Sequence, residues 1–119
     1  YRYAETLLNA AELIAVHGCT GKGDANAYLN EVRTRAGLGN ASADLDAILH
    51  ERHVELMGEG KRYWDLVRLG QAANVLTPAN DEGGFRTKAW TENKKYLPFP
   101  QSEMDATAST QYPLTQNNY

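Results

Sequence analysis

Glu51, Glu55 and Glu59 follow one another at intervals of four residues, and Asp65 comes soon after. If the stretch is helical, that interval stacks the three glutamates along one face. Paired carboxylates are what glycoside hydrolysis requires, one as acid and the other as base or nucleophile. Like charges in a row also repel, and Arg52, Lys61, Arg62 and Arg68 lie in the same stretch. The planar fork of arginine can bond carboxylates and carbonyls together. A structural ion-pair network of Glu51, Arg52, Glu55, Glu59, Arg62, Asp65 and Arg68 is therefore the stronger reading, ahead of an acid–base pair.

His50 and His53 share a helical face with Glu51 between them. A zinc-protease motif needs its histidines four apart. Here the second comes one residue early, and His17 lies far along the chain, so no metal site is expected. Cys19 is the only cysteine, which excludes an internal disulfide and a cysteine zinc cluster. There is no phosphate-binding glycine loop, no GxSxG elbow and no Cys–His couple. Neither a cofactor nor an enzymatic activity is expected. The formal net charge is −3 and the basic residues are scattered, which argues against nucleic acid and against a polybasic membrane patch.

Aromatic rings can hold sugars by stacking. Trp64 is read as a core residue because it sits in an amphipathic pattern. Trp90, among Lys88, Thr91, Glu92 and Asn93, is either exposed or an anchor for its loop. Phe85, beside Gly84 and Arg86, is a similar case. Trp90 and Phe85 are the two carbohydrate-binding candidates.

The elements that position these residues are helices. Residues 2–16 carry an apolar stripe of Tyr3, Leu7, Ala11 and Ile14, flanked by Ala4, Leu8 and Ala15. Gly18 ends that helix. A second helix over 25–36 has Tyr28, Leu29, Val32 and Ala36 on its stripe. Gly37 closes it, with Leu38 packing back. A third, over 44–57, is capped by Ser42 or Asp44 and buries Leu45, Ile48, Leu49, Leu56 and Met57. A fourth, over 61–73, contributes Trp64, Leu66 and Val67. Pro78, Asn80, Asp81, Gly83 and Gly84 mark a long loop. Pro98 and Pro100 keep 96–100 extended. Ser102 and Asp105 suggest a short capped helical turn, and 107–119 is irregular. The first two helices span about 34 residues, the length of a tetratricopeptide hairpin. The chain opens on Tyr1 and not on Met, and is read as the later part of a longer chain. No run of apolar residues is long enough for a spanning helix.

Three stretches together resemble one family. They are RYAETLLNAAEL (2–13) continuing to YLNEVRTRAGL (28–38), ILHERHVELMGEGKRYWDLVRLG (48–70), and KYLPFPQSEMD (95–105) closing with PLTQNNY (113–119). In that order they resemble the C-terminal end of SusD/RagB proteins. Glu51, Arg52, Glu55, Leu56, Glu59, Gly60, Arg62, Asp65, Leu66 and Arg68 match the family pattern in the second stretch. Gly58, His53 and the ending QNNY depart from it. The resemblance implies an all-α, tetratricopeptide-like fold: a helix pair over 1–38, a second pair over 44–73, and a loop-rich segment over 74–119 of a single domain. It implies capture of a glycan (an oligosaccharide or polysaccharide) or another nutrient at the outer membrane, without chemistry on it. It implies a lipoprotein anchor upstream of this chain and a SusC-type TonB-dependent transporter as partner. Cys19 is not the lipidated cysteine. Two other functions compete: a tetratricopeptide-like protein-interaction scaffold without carbohydrate binding, and a glycoside hydrolase using the glutamates of the third helix.

Overall fold

The computed structural model describes residues 1–21 and 23–117, and every regular element among them is helical. The order is α1 (Tyr3–Ala15), α2 (Ala25–Arg35), α3 (Leu45–Glu55), α4 (Arg62–Arg68), α5 (Ala72–Val75) and α6 (Gln101–Thr107). Short 3-10 turns occupy Pro78–Asn80 and Glu92–Lys95. The expected all-α class is what forms. The chain divides into two compact units, Tyr1–Asp65 and Leu66–Tyr119.

In the first unit, α1, α2 and α3 pack together through short apolar side chains. Leu7 and Leu8 of α1 meet Leu29 and Val32 of α2 in one buried cluster. Ala11, Ala25 and Ile48 make a second, which draws in α3. Leu8, Leu29 and Ile48 are fully buried, each contributing about 1.5–3 kcal/mol of burial free energy. The small Ala11, also fully buried, leaves room for the neighbouring helices to close in.

Caps fix where these helices start and stop. Asp24 accepts a hydrogen bond from Asn26 N–H at 3.1 Å, and Asp44 accepts one from Ala47 N–H at 2.8 Å. Of the two residues expected to cap α3, Asp44 does so. At the end of α2, Gly37 adopts φ +74°. Gly37 N–H bonds Thr34 O and Leu38 N–H bonds Arg33 O, which closes a Schellman motif.

Several expectations need correction. Tyr3 and Ala15 of the first stripe are exposed, as are Ala36 and Leu38. Met57 is exposed because α3 stops at Glu55 and the chain turns away through Gly58. Trp64 is 49% exposed. In the short helix α4 the inward positions belong to Asp65 and Leu66, and Trp64 points aside, its ring edge-on to Tyr63 at 5.1 Å. The fourth helix is also two helices. Gly70, at φ +68°, lets Gln71 N–H bond Leu66 O and ends α4 before α5 begins. Ser102 lies inside α6, not at its cap, and Pro100 takes the cap position.

In the second unit, Tyr96 starts an extended segment, as its two prolines require. The tail returns to it. Gln116 accepts from Phe99 N–H at 2.9 Å and donates to Phe99 O at 3.1 Å. Asn117 donates to Leu97 O at 2.8 Å. Of the irregular stretch over 107–119, Asn118 and Tyr119 lie outside the described residues.

Candidate functional site

α3 is a hub of charge within the first unit. Glu51 is buried and receives Arg33 Nη1 of α2 at 2.7 Å. The same guanidinium donates Nε–H to Gly39 O at 2.8 Å, so one arginine fixes both α3 and the connection that leads into it. Arg52 is buried and donates Nε–H to Asp65 Oδ2 at 2.8 Å and Nη1–H to Asn9 Oδ1 of α1 at 2.5 Å. Glu55 receives Arg35 of α2, at 2.8 and 2.7 Å on its two oxygens, and Arg2 at 2.9 Å. Arg2 also reaches Glu59 at 2.9 Å. Arg62 donates to Leu49 O at 3.3 Å. Arg68 lies in the last turn of α4, where positive charge suits the carbonyl end.

Most of the cations that hold the glutamate row therefore come from α2 and the start of α1, and not from the row's own stretch. Each glutamate of the row has an arginine on its carboxylate. With those oxygens engaged by guanidinium groups, the row ties helices together. His50 and His53 are both exposed, and among the described residues no group of metal-binding side chains converges. Burial first, then Arg62 and His50, push the pKa of His53 down.

Two buried carboxylates had no place in the sequence reading. Glu5 pairs with Lys61 Nζ at 3.0 Å, and Glu12 faces His17 Nε2 at 3.4 Å. A signal was present: Glu5, Leu8 and Glu12 fall on one helical face. Beside Arg2, a groove of about 410 Å³ is lined by Tyr3, Leu7, Glu31, Arg35 and Glu55. A hydrogen bond to Glu31, and then its charge, raise the pKa of Tyr3 there.

The two aromatic candidates lie in the second unit and have different environments. Trp90 is 8% exposed, and its N–H bonds Leu76 O at 3.0 Å. It anchors the returning end of the loop that leaves α5. Phe85 is 91% exposed near the tip of that loop. The tip is built around Asp81. Its carbonyl accepts from Gly84 N–H at 3.0 Å, and its carboxylate accepts from Arg86 N–H. The Phe85 ring lies over Gly83, where a Cβ would meet it at 2.6 Å, so no other residue fits there without moving the ring. Asn80 bonds Asn74 O at 3.0 Å and holds the loop's departing end to α5. A fixed turn with one bare aromatic face can stack on a sugar ring.

A sequence model of the SusD family matches residues 1–119. SusD-like protein P2 of Formosa agariphila is 34% identical, over 87% of this chain and 22% of its own length. Among solved structures, surface glycan-binding protein A from Bacteroides thetaiotaomicron is 57% identical, with a TM-score of 0.87, over 100% of this chain and 24% of that one. That protein has also been solved in complex with laminarihexaose. Its counterpart from Bacteroides uniformis is 48% identical, with a TM-score of 0.84, over 99% of this chain and 27% of that one. The chain thus spans about a quarter of the length of these relatives.

Proposed function

The chain belongs to the SusD family, and from that premise we propose that the protein carrying it captures glycan at the cell surface for import. The observation that carries this reading is the 57% identity, over the whole chain, to a surface glycan-binding protein solved with laminarihexaose. Laminarin is accordingly the first glycan to test. Capture requires no bond to be made or broken. The arginine-held glutamates of α3 suit that role, because they tie helices together and leave no free carboxylate pair for acid–base work.

Family membership supports a wider setting. The protein hands its glycan to a SusC-type TonB-dependent transporter in the outer membrane and is held there by a lipid anchor outside these residues. No helix among the described residues is long and apolar enough to cross a membrane. Phe85 is the proposed sugar platform within this chain, and Trp90 the anchor that positions its loop. The scaffold reading shares the fold, but likeness to glycan-binding proteins favours capture.

The test is affinity electrophoresis of the intact protein through gels containing laminarin. Retardation by laminarin, with no new reducing ends after prolonged incubation, is the expected result. Unretarded migration through laminarin and through a panel of other glycans would return the scaffold reading to first place. Release of reducing ends would mean hydrolysis.

A further inference from the structure

Where the chain passes from α3 to α4, a cavity of about 270 Å³ is lined by Arg52, His53, Lys61, Arg62 and Tyr63. Small-molecule sites begin near about 300 Å³, so there is room for an ion or one sugar ring, not an oligosaccharide. Two of its cations are already matched. Arg52 has Asp65 at 2.8 Å and Lys61 has Glu5 at 3.0 Å. Arg62 is different. It is half-buried, and among the described residues it meets no carboxylate and bonds only the Leu49 carbonyl at 3.3 Å. A guanidinium carries five N–H donors, so most of this one's capacity is unused among the described residues. Burying a charge without a partner is costly, and an arginine in that position favours an anion beside it.

We propose that this cavity binds a small oxyanion of the sulfate, phosphate or carboxylate class, gripped by Arg62 and by the imidazole of His53. The matched pairs around it hold the walls and leave about one net positive charge at its centre. The whole chain is net negative, so attraction to an anion here is local. The groups facing His53 are His50 and Arg52 from α3, and Lys61, Arg62 and Tyr63 from the approach to α4 and its first turn. Burial, and then the charges of Arg62 and His50, oppose protonation of His53, and a bound oxyanion would favour it. The ligand is either the free ion or the acidic substituent of a sugar. This site does not depend on the glycan-capture reading.

The test is to titrate the intact protein with sodium sulfate, and separately phosphate, at constant ionic strength against chloride. Binding is read by calorimetry, and the His53 imidazole by NMR, its signal assigned by its loss in His53→Gln. The expected result is saturable binding with a rise in the His53 pKa, weakened about tenfold or more in Arg62→Gln and partly restored in Arg62→Lys. Should Arg62→Gln melt early, the exposed His53→Gln gives a second reading, weaker binding with a melt that matches the parent's above about pH 7. Glucose 6-sulfate and glucuronate separate the sources: tighter binding than the inorganic ions assigns the site to an acidic sugar, and equal binding assigns it to the free ion. A His53 signal that responds to none of these beyond its response to chloride overturns the site.

Discussion

Arg52 and Asp65 place a full charge pair where water hardly reaches, with side chains 4% and 5% exposed. Truncating one partner strands the other. Asp65→Ala is expected to lose about 3–5 kcal/mol in urea or thermal melts, because the buried Arg52 keeps its charge and loses its carboxylate partner. Glu55 makes more ion-pair contacts, yet its partners Arg2 and Arg35 are 45% and 64% exposed. Glu55→Ala is expected to cost about 1 kcal/mol per pair at most, and less at high salt. An equal loss in both variants would contradict this ordering. His53 adds a dependence on pH. Its pKa is lowered on folding, so the unfolded chain takes up the proton more readily. Above the unfolded value, about 6.5, it contributes nothing; as pH falls below that, the folded state loses stability until the folded pKa is passed. His53→Gln should therefore lose less stability than the parent between about pH 7 and pH 5, as measured by urea melts. At this scale the sequence showed which residues carry charge in the α3 region, but not their partners. Arg33 and Glu51 stand far apart in the chain, and only the packing of α2 on α3 makes them neighbours.

Among the elements, the connection from α2 to α3 is held unusually well for a stretch without regular structure. Asn30 donates to Ala41 O at 3.0 Å and accepts from Ala41 N–H at 2.8 Å, and Asn26 accepts from Ala43 N–H at 2.8 Å. With Arg33 on Gly39, one face of α2 acts as a rack for the backbone that follows it. Asn30→Ala leaves two part-buried backbone groups without a partner. It is expected to cost about 1–3 kcal/mol and to speed hydrogen exchange at the Ala41 amide. Protection unchanged at Ala41 would rule out that role. The helices themselves were legible, because apolar spacing and glycine stops mark them locally. Their exact inner faces were less so. Trp64 looked like core until Asp65 claimed the inward position for Arg52, a pairing that periodicity cannot reveal. Asn26 and Asn30 went unnoticed because polar residues one turn apart usually mean solvent.

Across the whole molecule, the charged hub and the proposed sugar platform fall in different parts of the chain. The α3 hub lies in the first unit, and the Phe85 turn in the second. Phe85→Ala is expected to weaken retardation by laminarin and leave the melting temperature unchanged, since the ring is 91% exposed. Asp65→Ala should do the reverse. A Phe85 variant that binds glycan normally would remove that residue from the sugar contact. The family could be named from the sequence because its pattern falls on the charged hub. The Phe85 turn could not be read in the same way: Gly83 and Asp81 shape it through close contact and backbone bonds.

The ion pairs of α1 also bear on how the chain is made. Arg2 closes on Glu55 and Glu59, Glu5 on Lys61, and Asn9 on Arg52. A ribosome releases α1 before α3 and α4, so its buried acid Glu5 waits for a cation, Lys61, that is synthesised tens of residues later. Until α3 and the approach to α4 have emerged, α1 and α2 can meet through their leucines but cannot settle their charges. The first unit should therefore form late and nearly all at once, with the nascent helical hairpin open to chaperones in the interval.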